Sequence, residues 1–327
     1  MDTAALELAR RLRHGAGLAM AAHELYEELR PGAFAIAYRM LGSASEAEDL
    51  VQDGLLRLHR VLEEGERLES PRAYLSTVVT RLAIDELRSA RVRRETYVGE
   101  WLPEPLITSS EADPARHAEI ADSLSLAFLV VLEGLSPEQR AVFLLRDVFD
   151  YPYDRIAAIV GKSEAATRQI ATRARRHVDD RRPRYEASER RREELAERFF
   201  AAAREGDLET LESLLAEDVA LHGDGGGRAP ALARALYGRR RVAQTLASWI
   251  KLGRRSGGIE VRRAEVNGQP GALITDTHGG LIGVWSLGIV EDRVQSIRSV
   301  VNPDKLAHLG PVSGLTAMLE RAQQRKA

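Results

Sequence analysis

The sequence lacks cysteine altogether, which excludes disulfide bonds, iron–sulfur clusters and cysteine-ligated zinc sites. It also lacks an apolar run approaching the roughly 18 residues of a membrane-spanning helix. Its N-terminal stretch has neither the apolar core nor the cleavage site of a signal peptide. These absences predict a cytoplasmic protein that does not associate with a membrane.

A strong excess of one charge is also missing, since the formal net charge is −2. The arginines are instead concentrated in three basic islands, "RSARVRRE", "TRARRHV" and "DRRPRYEASERRRE". Such islands in a chain of balanced charge indicate local binding of nucleic acid. The 327 residues are enough for two or three domains.

The first part of the chain, from about residue 24 to residue 94, has a helical pattern without strand-like alternation. One helix is predicted to end at Gly42. Ser45, with Glu48 three residues later, predicts the N-cap and capping box of a second helix. Pro71 predicts the first turn of a third helix. We therefore expect residues 1–95 to form an all-α domain.

Prolines and polar residues interrupt this pattern over residues 96–117, which we interpret as a linker. A second helical block covers residues 118–183, where Ser136 and Gln139 predict another capping box. In residues 184–327, helices are followed by several short β-like runs, with Asn267–Gly268 as a hairpin turn. This order predicts an α+β domain with an antiparallel sheet.

The stretch "YDRIAAIVGKSEAATRQIATRARRHV" has the pattern of a helix-turn-helix. On its first helix, Ile156, Ala157 and Val160 are predicted to face inward. Gly161 permits the tight turn, and Ser163 is predicted to cap the second helix.

The second helix of this motif is predicted to present a basic face. A buried stripe at helical spacing consists of Thr167, Ala171, Ala174 and Val178. The side chains turned outward by this stripe are Arg168, Gln169, Thr172, Arg173 and Arg176. Between Lys162 and Arg182 there are seven basic and three acidic residues. Arginine and glutamine can contact base edges in the major groove while other arginines hold phosphates. A solvated helical hairpin is the alternative interpretation.

Both helical blocks resemble a known pair of domains. The stretches "AYRMLGSASEAEDLVQDGLLRLHR" and "SPRAYLSTVVTRLAIDELRSARVRRE" are similar to region 2 of bacterial sigma factors, and the helix-turn-helix resembles their region 4. Because only a linker separates the two, the chain resembles the extracytoplasmic-function (ECF) sigma factors. The resemblance implies that core RNA polymerase, through its β′ clamp helices and its β subunit, and promoter DNA are the partners.

The resemblance also implies roles for particular side chains. The residues that would dock on the clamp helices are Glu46, Glu48, Asp49 and Asp53, for which a solvated amphipathic face is the alternative. The residues that would hold and open the −10 promoter element are Arg81, Arg88, Arg91, Arg93 and Arg94. The residues that would bind the −35 element are Ser163, Arg168, Gln169, Thr172, Arg173 and Arg176.

Three further motifs, "YVGEWLPEP", "DGGG" and "NPDKL", resemble the sigma-J-type subgroup, whose members carry a fused C-terminal SnoaL-like domain. This resemblance implies an α+β cone over residues 184–327 that makes regulatory contacts with the sigma domains and the linker. The residues expected in these contacts are Trp101, Leu102, Pro103, Glu104, Pro105, Asp224, Gly225, Gly226, Gly227, Asn302, Pro303, Asp304, Lys305 and Leu306. A chain-terminating turn is the alternative for the last five.

The glycine loop "HGDGGGRAP" admits several functions. It lacks the Gly-Lys-Ser/Thr of a nucleotide-binding loop. A SnoaL-type proton shuttle would use His222, Asp224, Asp276 or His278, and His222 with Asp224 supplies only two metal ligands. A turn with positive φ is a further interpretation. We favour a docking surface, because bare glycines let another segment approach closely.

Taken together, the motifs predict a sigma factor without catalytic residues, metal or cofactor, whose activity the C-terminal domain modulates. Two other classes of protein remain open. An enzyme with a DNA-binding appendage would turn over a substrate without polymerase. A helix-turn-helix repressor that senses a ligand through a C-terminal pocket would bind duplex DNA alone.

Overall fold

The computed structural model describes residues 18–66, 68–108, 123–181 and 189–316, and only the backbone of residues 18–22, 90–95 and 189. The chain divides into two compact units. We call residues 1–93 and 132–181 the helical unit, and residues 94–131 and 182–327 the sheet unit.

The elements of the first half are nearly all helical. They are α1 (Leu18–Leu41), α2 (Ala44–Glu63), α3 (Pro71–Glu95), β1 (Ile107–Thr108), α4 (Leu126–Leu132), α5 (Pro137–Phe143), a π-helical turn (Leu144–Val148), α6 (Tyr153–Val160) and α7 (Glu164–Asp179). Gly42 ends α1 with φ +68°, as predicted. Pro71 begins α3, and Ser136 with Gln139 forms the predicted capping box of α5.

The N-cap of α2 is Ser43, so the prediction of Ser45 is wrong. The backbone of Ser43 is extended, and its hydroxyl accepts a hydrogen bond from the Glu46 N–H at 3.1 Å. The sequence "SASEAE" offers two serines that are each followed three residues later by a glutamate. Because Gly42 has just turned the chain out of α1, the first extended serine caps, and Ser45 lies inside the first turn.

The helix-turn-helix forms as the sequence predicts, with one difference. Gly161 takes φ +66° between α6 and α7, and the Ser163 hydroxyl accepts from the Ala166 N–H at 3.2 Å. The stripe of α7 from Thr167 to Val178 is buried. On α6, however, Ile159 is buried together with Ile156 and Ala157, whereas Val160 is only half-buried. Val160 is the last residue of the helix, so it lies at the edge of this core.

The second half of the chain is α+β, as predicted. Its elements are α8 (Glu189–Glu205), α9 (Leu208–Leu214), β2 (Leu215–Asp224), β3 (Leu236–Tyr237), α10 (Arg239–Arg255), β4 (Ile259–Val266), β5 (Gln269–Asp276), β6 (Leu281–Val290), β7 (Arg293–Val300), α11 (Pro303–Leu306) and a 3-10 turn (Ala307–Leu309). The strand order is β1-β4-β5-β6-β7-β2-β3, and the pairs are antiparallel except that β2 runs parallel to β7. Asn267 and Gly268, with φ +53° and +69°, make the predicted hairpin turn.

The sheet has two apolar faces, because successive side chains of a strand point to opposite sides. One face packs with α8, α9 and α10 around Phe199, Leu246 and Trp285. The other face is covered by Leu102 of the linker, Leu126 of α4 and Leu306 of α11. The linker motif and the C-terminal tail therefore meet on one side of the sheet. Within the described ranges, no helix is long and apolar enough to cross a bilayer.

Candidate nucleic-acid interface and linker-binding site

The outer face of α7 carries the side chains predicted to contact DNA. Ser163, Arg168, Gln169, Thr172, Arg173 and Arg176 are all exposed. The guanidinium of Arg168 pairs with Glu164 and lies 4.4 Å from the centre of the Tyr153 ring. Among the described residues, Gln169, Arg173 and Arg176 have no side-chain partner. A helix with this face has the donors for base edges and phosphates.

The acidic face of α2 is divided between paired and unpaired carboxylates. Glu48 forms an ion pair with Arg30 at 2.7 Å, and Glu46 is half-buried in the first turn. Asp49 and Asp53 are exposed and have no ion-pair partner in the described part of the chain. Leu56, which follows on the same face, is 50% exposed. Leu56 is an apolar residue outside the buried stripe of α2, and this position could have identified it as a candidate contact residue from the sequence.

Two arginines predicted to bind the −10 element contact the helix-turn-helix and the helix before it. Arg81 donates to the carbonyl oxygens of Ile159 at 3.0 Å and Ala158 at 2.9 Å, near the end of α6. Arg88 donates to Glu138 of α5 at 2.6 Å. This hydrogen bond holds the pKa of Glu138 below its usual range. The side chains of Arg91, Arg93 and Arg94 lie outside the described residues.

A buried arginine adds to this contact between the first three helices and the rest of the helical unit. Arg140 of α5 is 3% exposed and donates to the Met40 carbonyl at 2.6 Å and to Glu133 at 2.8 Å. Burial lowers its pKa to about 9. In α3, Ser76 accepts from the Tyr151 hydroxyl at 2.9 Å. The pattern of the sequence did not identify Arg140, since one of its partners is a backbone carbonyl 100 positions away and the other, Glu133, is not at helical i,i+3 or i,i+4 spacing.

Asp224 is the centre of a polar cluster with Tyr97, Leu102 and Lys305, which we call the linker-binding site. Its carboxylate is fully buried and accepts from the Tyr97 hydroxyl at 2.5 Å, the Leu102 N–H at 2.8 Å and the Lys305 ammonium at 2.7 Å. Its own carbonyl accepts from the Val301 and Asn302 N–H groups at 2.8 and 3.1 Å. Burial, followed by the hydrogen bond to Asp224, raises the pKa of Tyr97. One carboxylate thus joins all three motifs.

Lys305 closes the same site from the tail. Its ammonium also donates to the Leu102 carbonyl and lies 4.3 Å from the centre of the Trp101 ring and 4.9 Å from that of Tyr97. The segment from Leu102 to Pro105 is buried. Its carbonyl at Pro105 lies 2.8 Å from His308 Nε2, and Glu104 lies 3.9 Å from the other ring nitrogen of His308.

The glycines of the loop lie against this site. A Cβ on Gly226, whose φ is +56°, would lie 2.2 Å from Asn302 Nδ2 and 2.9 Å from the Tyr97 hydroxyl. A Cβ on Gly227 would lie 3.1 Å from Val98, and one on Gly225 would lie 2.1 Å from the Ala229 carbonyl. The loop therefore combines a turn of positive φ with close approach of the linker and the tail.

The remaining tail residues lie at the edge of the linker-binding site. Asn302 caps α11 by accepting from the Asp304 N–H at 3.1 Å, and its amide donates to the Tyr97 hydroxyl at 3.0 Å. Pro303 occupies the first turn of α11, and Leu306 packs on the sheet. Asp304 is exposed and lies 3.6 Å from Arg228.

Asn267 is a second anchor for the linker, which sequence reasoning missed. It is fully buried in the β4–β5 turn, where its side-chain oxygen accepts from the Leu106 N–H at 2.8 Å and its amide donates to the Leu124 carbonyl at 3.0 Å. Its backbone N–H donates to the Leu106 carbonyl at 2.8 Å. The sequence identifies Asn267 and Gly268 only as a turn, because it does not show which distant backbone groups bind the Asn267 side chain.

Three of the four candidates for a proton shuttle, His222, Asp224 and Asp276, have side-chain hydrogen bonds to different partners. His222 lies 2.6 Å from Glu100 of the linker, and Asp224 binds the three donors described above. Asp276 accepts from the N–H groups of His278 and Gly280 at 2.9 Å. The Ser313 hydroxyl is the main cause that lowers the pKa of Asp276. No cluster of three metal-ligating side chains occurs among the residues that the structure describes.

Comparison with known proteins identifies relatives of both units. Residues 25–93 match the family model "Sigma-70 region 2", and residues 125–178 match "Sigma-70, region 4". The ECF RNA polymerase sigma factor SigJ of Mycobacterium tuberculosis is 37% identical over 86% of this chain and 91% of its own length. The probable ECF sigma factor SigI of the same organism is 33% identical over 83% of this chain and 90% of its length. The crystal structure of SigJ matches with a TM-score of 0.68 and 34% identity, covering 86% of this chain and 97% of that one.

Proposed function

The chain belongs to the ECF RNA polymerase sigma factors, which bind core polymerase and direct promoter-specific initiation, and we propose that the C-terminal part of the sheet unit, residues 184–327, sets this activity by holding or releasing the linker. We assign residues 184–327 of this unit to the SnoaL-like domain of the sigma-J-type subgroup, and the match to SigJ over most of the chain supports this assignment. We place its action in the cytoplasm, where polymerase and promoter DNA are found.

The observation that carries the proposal is the site around Asp224. Regions 2 and 4 must contact two promoter elements at once, and the chain between α3 and α4 is the tether that joins them. Linker residues bound to the C-terminal part of the sheet unit no longer contribute to the length of the tether, so their binding restricts the distances that the two regions can reach. A few kcal/mol of difference between bound and released linker would shift the population substantially.

A second part of the proposal concerns the helical unit. Arg81 and Arg88, expected to contact the −10 element, donate instead to α5 and α6. We propose that these contacts belong to an inactive arrangement, which must open before either side chain reaches the DNA. Because the Arg88 side chain is 56% exposed, its pair with Glu138 is screened by solvent, and the guanidinium can exchange its partner for phosphate.

Docking on polymerase is assigned to the exposed part of α2. Asp49 and Asp53 supply negative charge, and Leu56 supplies an apolar side chain beside them. Charged residues steer association, while a buried apolar residue at the centre of a contact carries binding energy. For the sheet unit we propose a regulatory role without chemistry, because Asp224, the most buried of the proton-shuttle candidates, is occupied by three donors.

The test is run-off transcription with core polymerase on a pool of genomic promoters. Asp224→Asn should release the linker and raise transcription several-fold on the same promoters, with unchanged binding to core polymerase. Asp292→Asn, which removes an exposed carboxylate of the same unit paired with Arg191, is the matched control and should leave transcription unchanged. Hydrogen exchange of the peptide containing Leu102 reports linker release. Equal transcription by all three proteins, together with fast exchange in Asp224→Asn, would contradict the proposal.

A further inference from the structure

We propose that the sheet unit contains a binding site for a small apolar molecule with fused or bridged rings, and that its occupancy is transmitted to the linker-binding site. The site is a cavity of about 270 Å³ between α10 and the sheet. Trp249 and Trp285 are among its walls, with ring centres 6.3 Å apart and planes inclined by 51°.

The chemistry of the walls selects an apolar ligand. The described residues that line the cavity are glycine, alanine, proline, aliphatic and tryptophan residues, and Ser299 alone among them carries a hydroxyl. None of these side chains is ionisable, so a charged or strongly polar molecule would lose its hydration without compensation. Water in the cavity would find few hydrogen-bond partners, whereas an apolar molecule gains contacts on all sides.

The size of the cavity limits the ligand. An apolar cavity of about 150 Å³ holds benzene, so the larger cavity here has room for a second ring. The two indole rings provide aromatic surface for such a molecule. Leu252 is 36% exposed, which shows that the cavity reaches the surface beside α10. Leu315, from the segment after α11, lines the cavity as well, so the tail contributes to its closure.

Two strands connect the cavity with the linker-binding site. Gly223 and Ser299 line the cavity and are paired in the register of β2 and β7. Their neighbours Asp224 and Val300 form the next pair, and Val300 packs against Leu102 on the opposite face. A ligand that shifts the ends of β2 and β7 therefore shifts Asp224 as well. This second part rests on the proposed role of the linker.

The experiment uses the full-length protein and two apolar probes, naphthalene and camphor. Isothermal titration calorimetry measures binding to the wild type, to Leu252→Trp and to Lys251→Trp. The first substitution enlarges a side chain at the opening, and the second adds the same ring at the adjacent exposed position, which does not line the cavity. We expect saturable binding of at least one probe and a loss of about tenfold or more in Leu252→Trp, because an overfilled cavity excludes its ligand. Lys251→Trp should bind as the wild type does.

Absence of saturable binding for both probes, or equal affinity in the two variants, would overturn the site. Hydrogen exchange of the peptide containing Leu102, measured with and without the bound probe, tests the transmission. A changed exchange rate in the wild type and an unchanged one in Leu252→Trp is expected, and an unchanged rate in both would overturn transmission. Neither measurement contains polymerase, so a failure of the proposed function in transcription is distinguishable from a failure here.

Discussion

The backbone N–H of Leu102 donates to Asp224 Oδ2 at 2.8 Å, across 122 positions of the sequence and inside the protein. The same oxygen accepts from Lys305, whose ammonium donates in turn to the Leu102 carbonyl. Three motifs that are far apart in the chain are therefore parts of one polar cluster. Because the cluster is buried, each member left without its partner destabilises the sheet unit.

The first prediction concerns the buried ion pair of this cluster. Asp224→Asn leaves the Lys305 ammonium without its carboxylate, so we expect a loss of about 3–5 kcal/mol in the free energy of unfolding. Lys305→Met should also destabilise, and the double variant should lose less than the sum of the two. Urea unfolding followed by fluorescence measures these values. Asp292→Asn, which breaks an exposed pair, should change stability by at most about 1 kcal/mol. Additive losses would contradict coupling.

The second prediction separates strain from close approach in the glycine loop. Gly226 and Gly206 both have positive φ, +56° and +76°, but of the two only Gly226 has other atoms within 4 Å of where a Cβ would lie. Gly206→Ala should destabilise by about 1–2 kcal/mol through backbone strain alone. Gly226→Ala should destabilise more and should also speed hydrogen exchange of the Leu102 peptide, since its methyl group would displace Asn302. Equal effects of the two changes would show that the loop is only a turn.

How far the sequence predicts this site can be judged from particular residues. The turns and caps at Gly42, Gly161 and Ser136 depend on local chemistry, and local pattern predicts them. The prediction of the α2 N-cap fails because Ser43 and Ser45 are each followed three residues later by a glutamate. Only the position at which α1 ends selects between them. The motifs around Leu102, Asp224 and Lys305 were grouped by resemblance to relatives. Their hydrogen bonds were not predicted.

The contacts that sequence reasoning missed share a physical cause. Tyr97 and Asn267 act through side-chain hydrogen bonds to residues more than a hundred positions away. Local pattern identifies Asn267 only as a turn residue, and it does not show the partners of either side chain. Likewise, the sequence does not show that β2 pairs in parallel with β7, because these two strands are far apart in the chain. Their pairing depends on the packing of the whole sheet unit.

The third prediction concerns pH. Burial and the hydrogen bond to Asp224 raise the pKa of Tyr97 above its ordinary value of 10.0. A raised pKa in the folded state means that the stabilisation from Tyr97 is complete below pH 10 and is lost as the pH rises through the higher folded value. Titration by absorbance at the tyrosinate band should show a late component that is smaller in Tyr97→Phe, since burial raises the pKa of Tyr26 as well. Tyr237→Phe, at a 60% exposed position, should keep that component. A late component of undiminished amplitude in Tyr97→Phe would contradict the assignment.

The fourth prediction concerns polymerase. Asp49→Lys combined with Asp53→Lys should abolish detectable binding to core polymerase, and Leu56→Ala should weaken it by about 1–3 kcal/mol if its side chain is buried in the contact. Glu217→Lys with Glu260→Lys makes the same charge change at exposed positions of the sheet unit and serves as the control. Fluorescence anisotropy with labelled core polymerase measures the affinities. Intact binding by the Asp49/Asp53 variant would remove the docking assignment.

The fifth prediction concerns base recognition by α7. Gln169 is exposed without a described side-chain partner, so its amide is free to contact a base edge. Gln169→Ala should reduce discrimination between −35 sequences by about 1–3 kcal/mol. Arg168 is oriented by Glu164 and Tyr153, and Arg168→Ala should act in the same sense.

Arg176→Ala should instead weaken binding evenly across −35 sequences and lower its salt dependence, as expected for a phosphate contact. The measurement is the affinity of the holoenzyme for a set of promoters that differ at single −35 positions, at two salt concentrations. Arg181→Ala removes a positive charge just beyond the end of α7, where the side chain is hydrogen-bonded to His177, and serves as the control. If Gln169→Ala and Arg176→Ala lower the affinity for every promoter by the same factor, α7 binds only the backbone of the DNA, and the bases of the −35 element are recognised elsewhere.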